Sequence, residues 1–331
     1  MSDVPHTATA RAYPNLALVK YWGKADEELM LPAAGSLSLT LDALPTTTTV
    51  TLADGAEDRF ELNGRQATDG ERSRVSAFLD IVRTQAGTRA HAVVTSRNEA
   101  PTAAGLASSA SGFAALATAA AAAYGLDLDQ PGLSRLARRG SGSAARSIVG
   151  GLAQWHAGDD LASFAEPIEG PDLHMVVVMV RSDAKAVSSR EAMRRTAATS
   201  PFYPAWVESV NADLEAMRAA CEAKDVERIG TIAEANALRM HAVIASCVPP
   251  IRYLAPASVA AFDAIAAMRE QGVPVYATAD AGPNVVAITS PEHSGRVAQE
   301  LSGLGSTVVA GPGPGAHLLA DTLDAIPESA R

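Results

Sequence analysis

The sequence is poor in cysteine. Of 331 residues two are cysteine, Cys221 and Cys247, both in helix-like stretches and neither with metal-ligand spacing around it. That excludes a disulfide framework and makes a reducing cytoplasm the expected compartment. A basic block is missing too. Twenty-seven Lys and Arg stand against 37 Asp and Glu, for a net charge of −10. Nucleic acids and anionic membranes are therefore poor candidate partners, since both leave a basic footprint. A local basic pocket for a phosphorylated ligand stays open. No apolar run is long enough to span a bilayer, and the first residues lack the basic-then-apolar pattern of a signal peptide. No internal repeat is visible.

What is present suits a globular protein: 47% hydrophobic and 19% charged residues. The length favours two domains, 1–171 and 172–331, with the polar Asp159–Pro171 stretch as the link. Strands are expected within 6–20, at Ser36–Leu41 (alternating, hence half-buried) and at Thr46–Leu52, with Asp42–Pro45 as the turn between the last two. A short strand at Glu57–Leu62 with an Asn63-Gly64 turn follows, then a helix over 71–86 with Val75, Phe78, Leu79 and Val82 on one face. Further on come a strand at Ala92–Ser96, an Ala-rich helix from Ser108 to about Tyr124, a helix at Pro131–Arg139, and strands at Gly150–His156 and Leu173–Val180. The second half alternates helices and strands on the scale of an α+β sandwich. Its helix at Ser258–Gln271 is expected to turn Val259, Phe262, Ile265 and Met268 inward.

One stretch organises the chain. Pro101 to Gly112 links a strand to the Ala-rich helix, and from Ala103 onward every side chain in it is small except Leu106. Small residues let a backbone approach a ligand, and a helix start presents unpaired N–H groups at the positive end of its dipole. That is a phosphate cradle, with Ser108 and Ser109 offering hydroxyls to a phosphate or a metal. It is equally the start of a tightly packed helix. Lys20-Tyr21-Trp22-Gly23-Lys24 reads as a strand end with solvated lysines or as a binding segment. Arg138 to Ser147 contains G-x-G-x-x-A but follows a helix, so the dinucleotide reading is rejected. Its serines and Arg146 suit an anion. Ser188-Ser189-Arg190 repeats that chemistry at a helix start. Asp280 is either a turn aspartate or a lone carboxylate in a site.

Taken together, Lys20–Lys24, Pro101–Ser109, Arg138–Ser143 with Arg146, Ser188–Arg190 and Asp280-Ala281-Gly282-Pro283-Asn284 resemble the diphosphomevalonate decarboxylases. These belong to the galactokinase, homoserine kinase, mevalonate kinase and phosphomevalonate kinase superfamily. The resemblance runs in order over nearly the whole chain. It implies a two-domain α/β (α+β) small-molecule kinase fold. Its N-terminal domain would be ribosomal-protein-S5-like and nucleotide-binding, its C-terminal domain ferredoxin-like, with the cleft between them. It implies ATP-dependent decarboxylation of mevalonate 5-diphosphate to isopentenyl diphosphate, with ADP, phosphate and carbon dioxide, in isoprenoid biosynthesis. ATP is the implied co-substrate, Mg²⁺ the implied ion, a homodimer the implied assembly. By the same resemblance Asp280 assists phosphorylation of the tertiary hydroxyl, Lys20 keeps it ionised and Arg146 holds the carboxylate. Tyr21, Lys24, Ser141, Ser143, Ser189 and Arg190 line the diphosphate site. Asn98, Ala103, Ala104, Gly105, Leu106, Ala107, Ser108 and Ser109 serve ATP, with Ser108 or Ser109 near the metal. Family members commonly carry a polar pair before the Ser-Leu-Ser strand, where this chain has Ala33-Ala34-Gly35. Two alternatives remain: a relative acting on the monophosphate or on mevalonate itself, and a catalytically dead sensor, which would lack Asp280, Lys20 or Arg146.

Overall fold

A computed structural model describes residues 7–99, 108–180 and 186–320. The loop 100–107, expected to wrap the ATP phosphates through Ala103, Ala104, Gly105, Leu106 and Ala107, lies outside the described residues, as does the side chain of Ser108. Along the chain run β1 (Thr7–Ala12), β2 (Asn15–Val19), β3 (Lys24–Asp26), β4 (Leu31–Pro32), β5 (Ser36–Thr40), β6 (Thr46–Ala53), β7 (Arg59–Leu62), β8 (Arg65–Gln66), α1 (Asp69–Ala86), β9 (His91–Asn98), α2 (Ser108–Ala123), α3 (Gln130–Gly140), α4 (Ala144–Ser147), β10 (Leu152–Trp155) and β11 (Ala165–Pro167). The second half adds β12 (His174–Met179), α5 (Ser189–Thr199), α6 (Tyr203–Glu222), α7 (Val226–Ala245), α8 (Pro256–Glu270), β13 (Val275–Thr278), β14 (Val285–Thr289), α9 (Pro291–Leu301), β15 (Ser306–Ala310) and β16 (His317–Leu318).

Two sheets build the first half. One has the order β16-β1-β6-β9-β7-β8, antiparallel except where β7 runs beside β9. The other is β11-β10-β5-β2. Nine of the sixteen residues of helix α2 are Ala, so its backbone packs close against β1 and β6, and it closes a core with Phe78, Leu79 and Val82 of α1. A capping box at Thr68 and Glu71 starts α1, and Gly87 in the left-handed region ends it.

The second half carries the antiparallel sheet β13-β14-β12-β15. Its two faces are both apolar, as alternation along β12 shows. Met175 and Val177 join the large core with β2, β5, α6 and α7, while Val176 and Val178 pack under α8 and α9. The large core therefore draws on both halves of the chain, and the tail returns to pair β16 with β1.

Several expectations shift. Ser36–Thr40 is buried at every position rather than half-buried, because α4 and α6 lie against it. Asp42–Pro45 connects β5 in one sheet to β6 in another. The polar stretch 159–171 is not all linker: Ala165–Pro167 pairs with β10, and Ser163 accepts the indole N–H of Trp155 at 3.0 Å. On α8 Val259 is 52% exposed and the inward face is Ser258, Ala261, Ile265 and Met268.

Candidate active site

The end of β2 and the β13–β14 loop meet in space. Lys20 donates from Nζ to Asp280 Oδ1 at 2.7 Å and to the Ala17 carbonyl at 2.8 Å. The ammonium is sealed, while the carboxylate keeps a 28% exposed face. Burial pulls the Lys20 pKa down; the Asp280 charge and hydrogen bond oppose that, and Arg146 adds to it.

Helix α7 fixes the lysine from behind. Asn236 Oδ1 accepts the Lys20 backbone N–H at 2.8 Å, and Asn236 Nδ2 donates to Asp213 at 2.7 Å. His241, buried on the same helix, sits against this pair. Desolvation, then the Lys20 charge, press its pKa to about 4, so the ring is neutral near pH 7, and its Nε2 has no hydrogen-bond partner.

Arg146 comes from the short α4. Its guanidinium lays Nε and Nη2 on Asn15 Oδ1 at 3.1 and 3.0 Å, and Nη1 donates to Ser36 Oγ. Asn15 is itself aimed by donating to the Ser143 carbonyl and to Ser147 Oγ. Burial lowers the Arg146 pKa to about 10, against the pull of Asp280. This arginine therefore lies within the electrostatic reach of the Lys20–Asp280 pair. Sequence reasoning missed Asn15, Ser36, Asn236 and His241 as site residues, because a single Asn, Ser or His within a strand or helix gives no signal until its spatial partner is known.

Other expected residues can be placed one by one. Ser141, at the end of α3, donates to Ser109 Oγ at 3.2 Å and lies 3.4 Å from Ser143 Oγ. Tyr21 packs half-buried against Trp155, with ring centroids 4.8 Å apart. Burial raises its phenol pKa far above the usual value, and the charges it senses are Arg146, Glu27 and Arg190. Its hydroxyl has no partner. Lys24 Nζ pairs with Glu27 at 2.5 Å. Gly23 between them has φ +117°, and a Cβ there would fall 1.8 Å from Tyr203 Oη, so the position demands glycine. Ser188 caps α5, with Ser189 and Arg190 in its first turn. Arg190 shares the lining of a cavity of about 490 Å³ with Arg74 and Arg139. Asn98 and Ser109 line a second cavity of about 230 Å³ between β6, β9 and α2, with Thr48, Phe60 and Leu62. At the Ala33-Ala34-Gly35 turn a Cβ on Gly35 would come within 2.9 Å of Leu214 and of the Trp155 carbonyl, so side-chain packing fills that corner.

Among the described residues no three His, Cys, Asp or Glu side chains converge on a metal site. Mg²⁺ that rides on nucleotide phosphates needs only one or two protein oxygens. Ser109, in the first turn of α2, is an oxygen donor of that kind.

Known proteins resemble this chain over most of its length. The description "Diphosphomevalonate decarboxylase-like N-terminal domain" matches residues 12–165, and "Mevalonate 5-diphosphate decarboxylase C-terminal domain" matches 175–307. The human diphosphomevalonate decarboxylase is 38% identical over 320 residues, covering 87% of this chain and 78% of that one. A phosphomevalonate decarboxylase from Haloferax volcanii is 34% identical, covering 94% and 97%. A solved structure described as MDDEF in complex with MVAPP, AMPPCP and magnesium superposes with a TM-score of 0.91 at 47% identity, over 95% of this chain and 99% of that one. The chain belongs to the diphosphomevalonate decarboxylase family.

Proposed function

We propose that this protein is an ATP-dependent decarboxylase that converts mevalonate 5-diphosphate to isopentenyl diphosphate. The observation that carries the reading is the Lys20–Asp280 pair within electrostatic reach of a buried Arg146. The structural neighbour was solved with MVAPP, the ATP analogue AMPPCP and magnesium, which supports the same substrate, co-substrate and ion here.

The chemistry assigns each group a task. Asp280 accepts the proton of the tertiary hydroxyl as its oxygen attacks the terminal phosphorus of ATP, and ADP leaves. The new phosphate then departs with the electrons of its carbon–oxygen bond. The bond to the carboxylate breaks, carbon dioxide leaves, and that electron pair forms the double bond. Lys20 keeps Asp280 ionised, and Arg146 holds the carboxylate by its planar fork. Tyr21, Lys24, Ser141, Ser143, Ser189 and Arg190 receive the diphosphate. The nucleotide base fits the cavity beside Asn98, and its phosphates lie at the first turn of α2 with Ser109. A bound Mg²⁺ would neutralise phosphate charge there, held by Ser108 or Ser109.

The site joins two lobes, 1–171 and 172–331, with the returning tail added to the first. Two buried free cysteines suit a reducing cytoplasm. The family's habit of pairing suggests a homodimer. A second reading has one specific support, the archaeal relative named for the monophosphate. Against it stands the number of cations around the tail site.

Asp280→Asn tests the mechanism. The amide is nearly isosteric, so folding and substrate binding persist while ADP and carbon dioxide formation both fall, by at least ~10²–10⁴-fold. A variant that makes ADP without releasing carbon dioxide would place the residue after phosphoryl transfer. Full activity would refute the assignment.

A further inference from the structure

Two neighbouring arginines end α3, and the structure treats them oppositely. Arg138 is fully buried and fully used: its guanidinium donates to the carbonyls of Leu29 and Ser163 and to the Asp160 carboxylate. It ties the loop after β10 to the β3–β4 hairpin. Arg139, one residue on, has no acceptor among the described residues. Its Nε is sealed from solvent and makes no hydrogen bond. A guanidinium carries five N–H donors and no acceptor, so the sealed Nε–H of this half-buried side chain calls for an acceptor, and an oxyanion is the one its charge favours.

The surroundings point the same way. Arg139 lines the 490 Å³ cavity together with Arg74 and Arg190. Arg74 is fixed there by its stacking on Phe113, 4.5 Å from the ring centre, and by donating to the Gly140 carbonyl at 3.0 Å. Burial first, and the Arg190 charge second, lower the Arg74 pKa to about 10, so these two cations lie near one another. Glu27 and Glu28 also reach this cavity, but Glu27 is engaged by Lys24 at 2.5 Å. Positive charge is in excess. Gly140 links this cavity to Ser141, which follows it in the chain and belongs to the group around Ser109 and Ser143.

We propose that Arg139 is a specificity-determining residue that reads the terminal phosphoryl group of the substrate's diphosphate tail in this cavity. The inference rests on the function proposed above and deepens it. The inner phosphate is held by the serine group and Lys24. The outer one enters the space between Arg74, Arg139 and Arg190. A monophosphate does not reach Arg139, so this side chain separates the two substrates.

The test compares Arg139→Gln and Arg139→Lys with the parent, on mevalonate 5-diphosphate and on the 5-phosphate. Hydrogen bonds to charged groups are worth about 1.5–3 kcal/mol, so Arg139→Gln should lower kcat/KM for the diphosphate by about 10- to 100-fold. The loss should lie in KM, with saturated turnover and the KM for ATP nearly unchanged. The monophosphate constants should stay within about twofold, and Arg139→Lys should recover part of the loss. The melting temperature without ligand should hold or rise, since a like charge has been removed from a cluster. An equal loss on both substrates, an unchanged ratio, or a destabilised variant would overturn the proposal. Calorimetric titration with inorganic diphosphate and with inorganic phosphate separates this claim from the reaction itself. The parent should bind diphosphate more tightly than phosphate, and Arg139→Gln should lose that preference. A parent with this preference but no decarboxylase activity would keep the site and sink the reaction. A parent without it, or a variant that retains it, sinks the site.

Discussion

Asp280 and Lys20 are 260 positions apart, and their 2.7 Å contact is the closest link between the two halves of the site. Around it each polar residue has a distinct physical task. Arg146 shows this best, because it spends two of its donors on a single oxygen of Asn15 and another on Ser36. That arrangement needs a planar fork. Arg146→Lys keeps the charge and loses the fork, so turnover should fall on the order of 100-fold while the KM for ATP changes little. Steady-state kinetics on the parent and variant decide it, and near-normal turnover would show that a point charge suffices. His241 makes a separate prediction in pH. Its folded pKa, about 4, lies below the ordinary value of 6.5. The unfolded chain therefore takes up the proton first as pH falls. Stability is full above about 6.5 and is lost between there and 4, at up to about 1.4 kcal/mol per pH unit. Denaturant titrations at pH 7 and pH 5 should show a steeper loss in the parent than in His241→Asn. Equal slopes would mean that the ring does not charge on unfolding.

Elements hold the site through a few polar clamps inside apolar packing. Asp58, just before β7, is one of them. Burial alone would raise its pKa, but hydrogen bonds from Arg83, Ser76 and the Ala92 N–H outweigh it, and the pKa is depressed. The clamp joins α1 to β7 and β9, and Arg83 also reaches Asp80 at 2.6 Å. Removing Arg83 strands the buried Asp58 carboxylate, and removing Asp58 leaves the buried Arg83 only the exposed Asp80. Asp58→Ala should cost about 3–5 kcal/mol of unfolding free energy and leave kcat within a few fold. Because the folded pKa is depressed, this clamp contributes above the ordinary carboxylate range and is lost as pH falls through it. A urea titration beside the kinetic assay checks both halves of the statement. Helix α1 itself was legible from its face of Val75, Phe78, Leu79 and Val82, while its start at Asp69, capped by Thr68, lies two residues before the expected Glu71. Val259 on α8 was misread, since Ser258 and Ala261 are small enough to bring that helix onto β13 and they, not the larger valine, form its inner face.

For the molecule as a whole, the order of elements and the motif positions were readable, and what pairs with what was not. Hydrophobic alternation located β5 and β6 but could not place them in different sheets, since the pattern records a period and no partner. Loop-borne Ser141 and Asp280 stood out because small residues surround them, and Tyr21 because two lysines flank its aromatic pair. Asn15, Asn236 and His241 stayed hidden because a polar residue in an apolar run acquires meaning only when its partner is known. The large core shared by both halves, and the return of β16 to β1, follow from contacts distant in sequence. The function proposed for this fold is a coupled reaction. The most direct measurement follows ADP and carbon dioxide together, with ATP, Mg²⁺ and in turn mevalonate 5-diphosphate, mevalonate 5-phosphate and mevalonate. The account predicts one ADP and one carbon dioxide for each diphosphate consumed, with far smaller specificity constants for the other two. ADP without carbon dioxide, or equal specificity constants for the mono- and diphosphate, would contradict it.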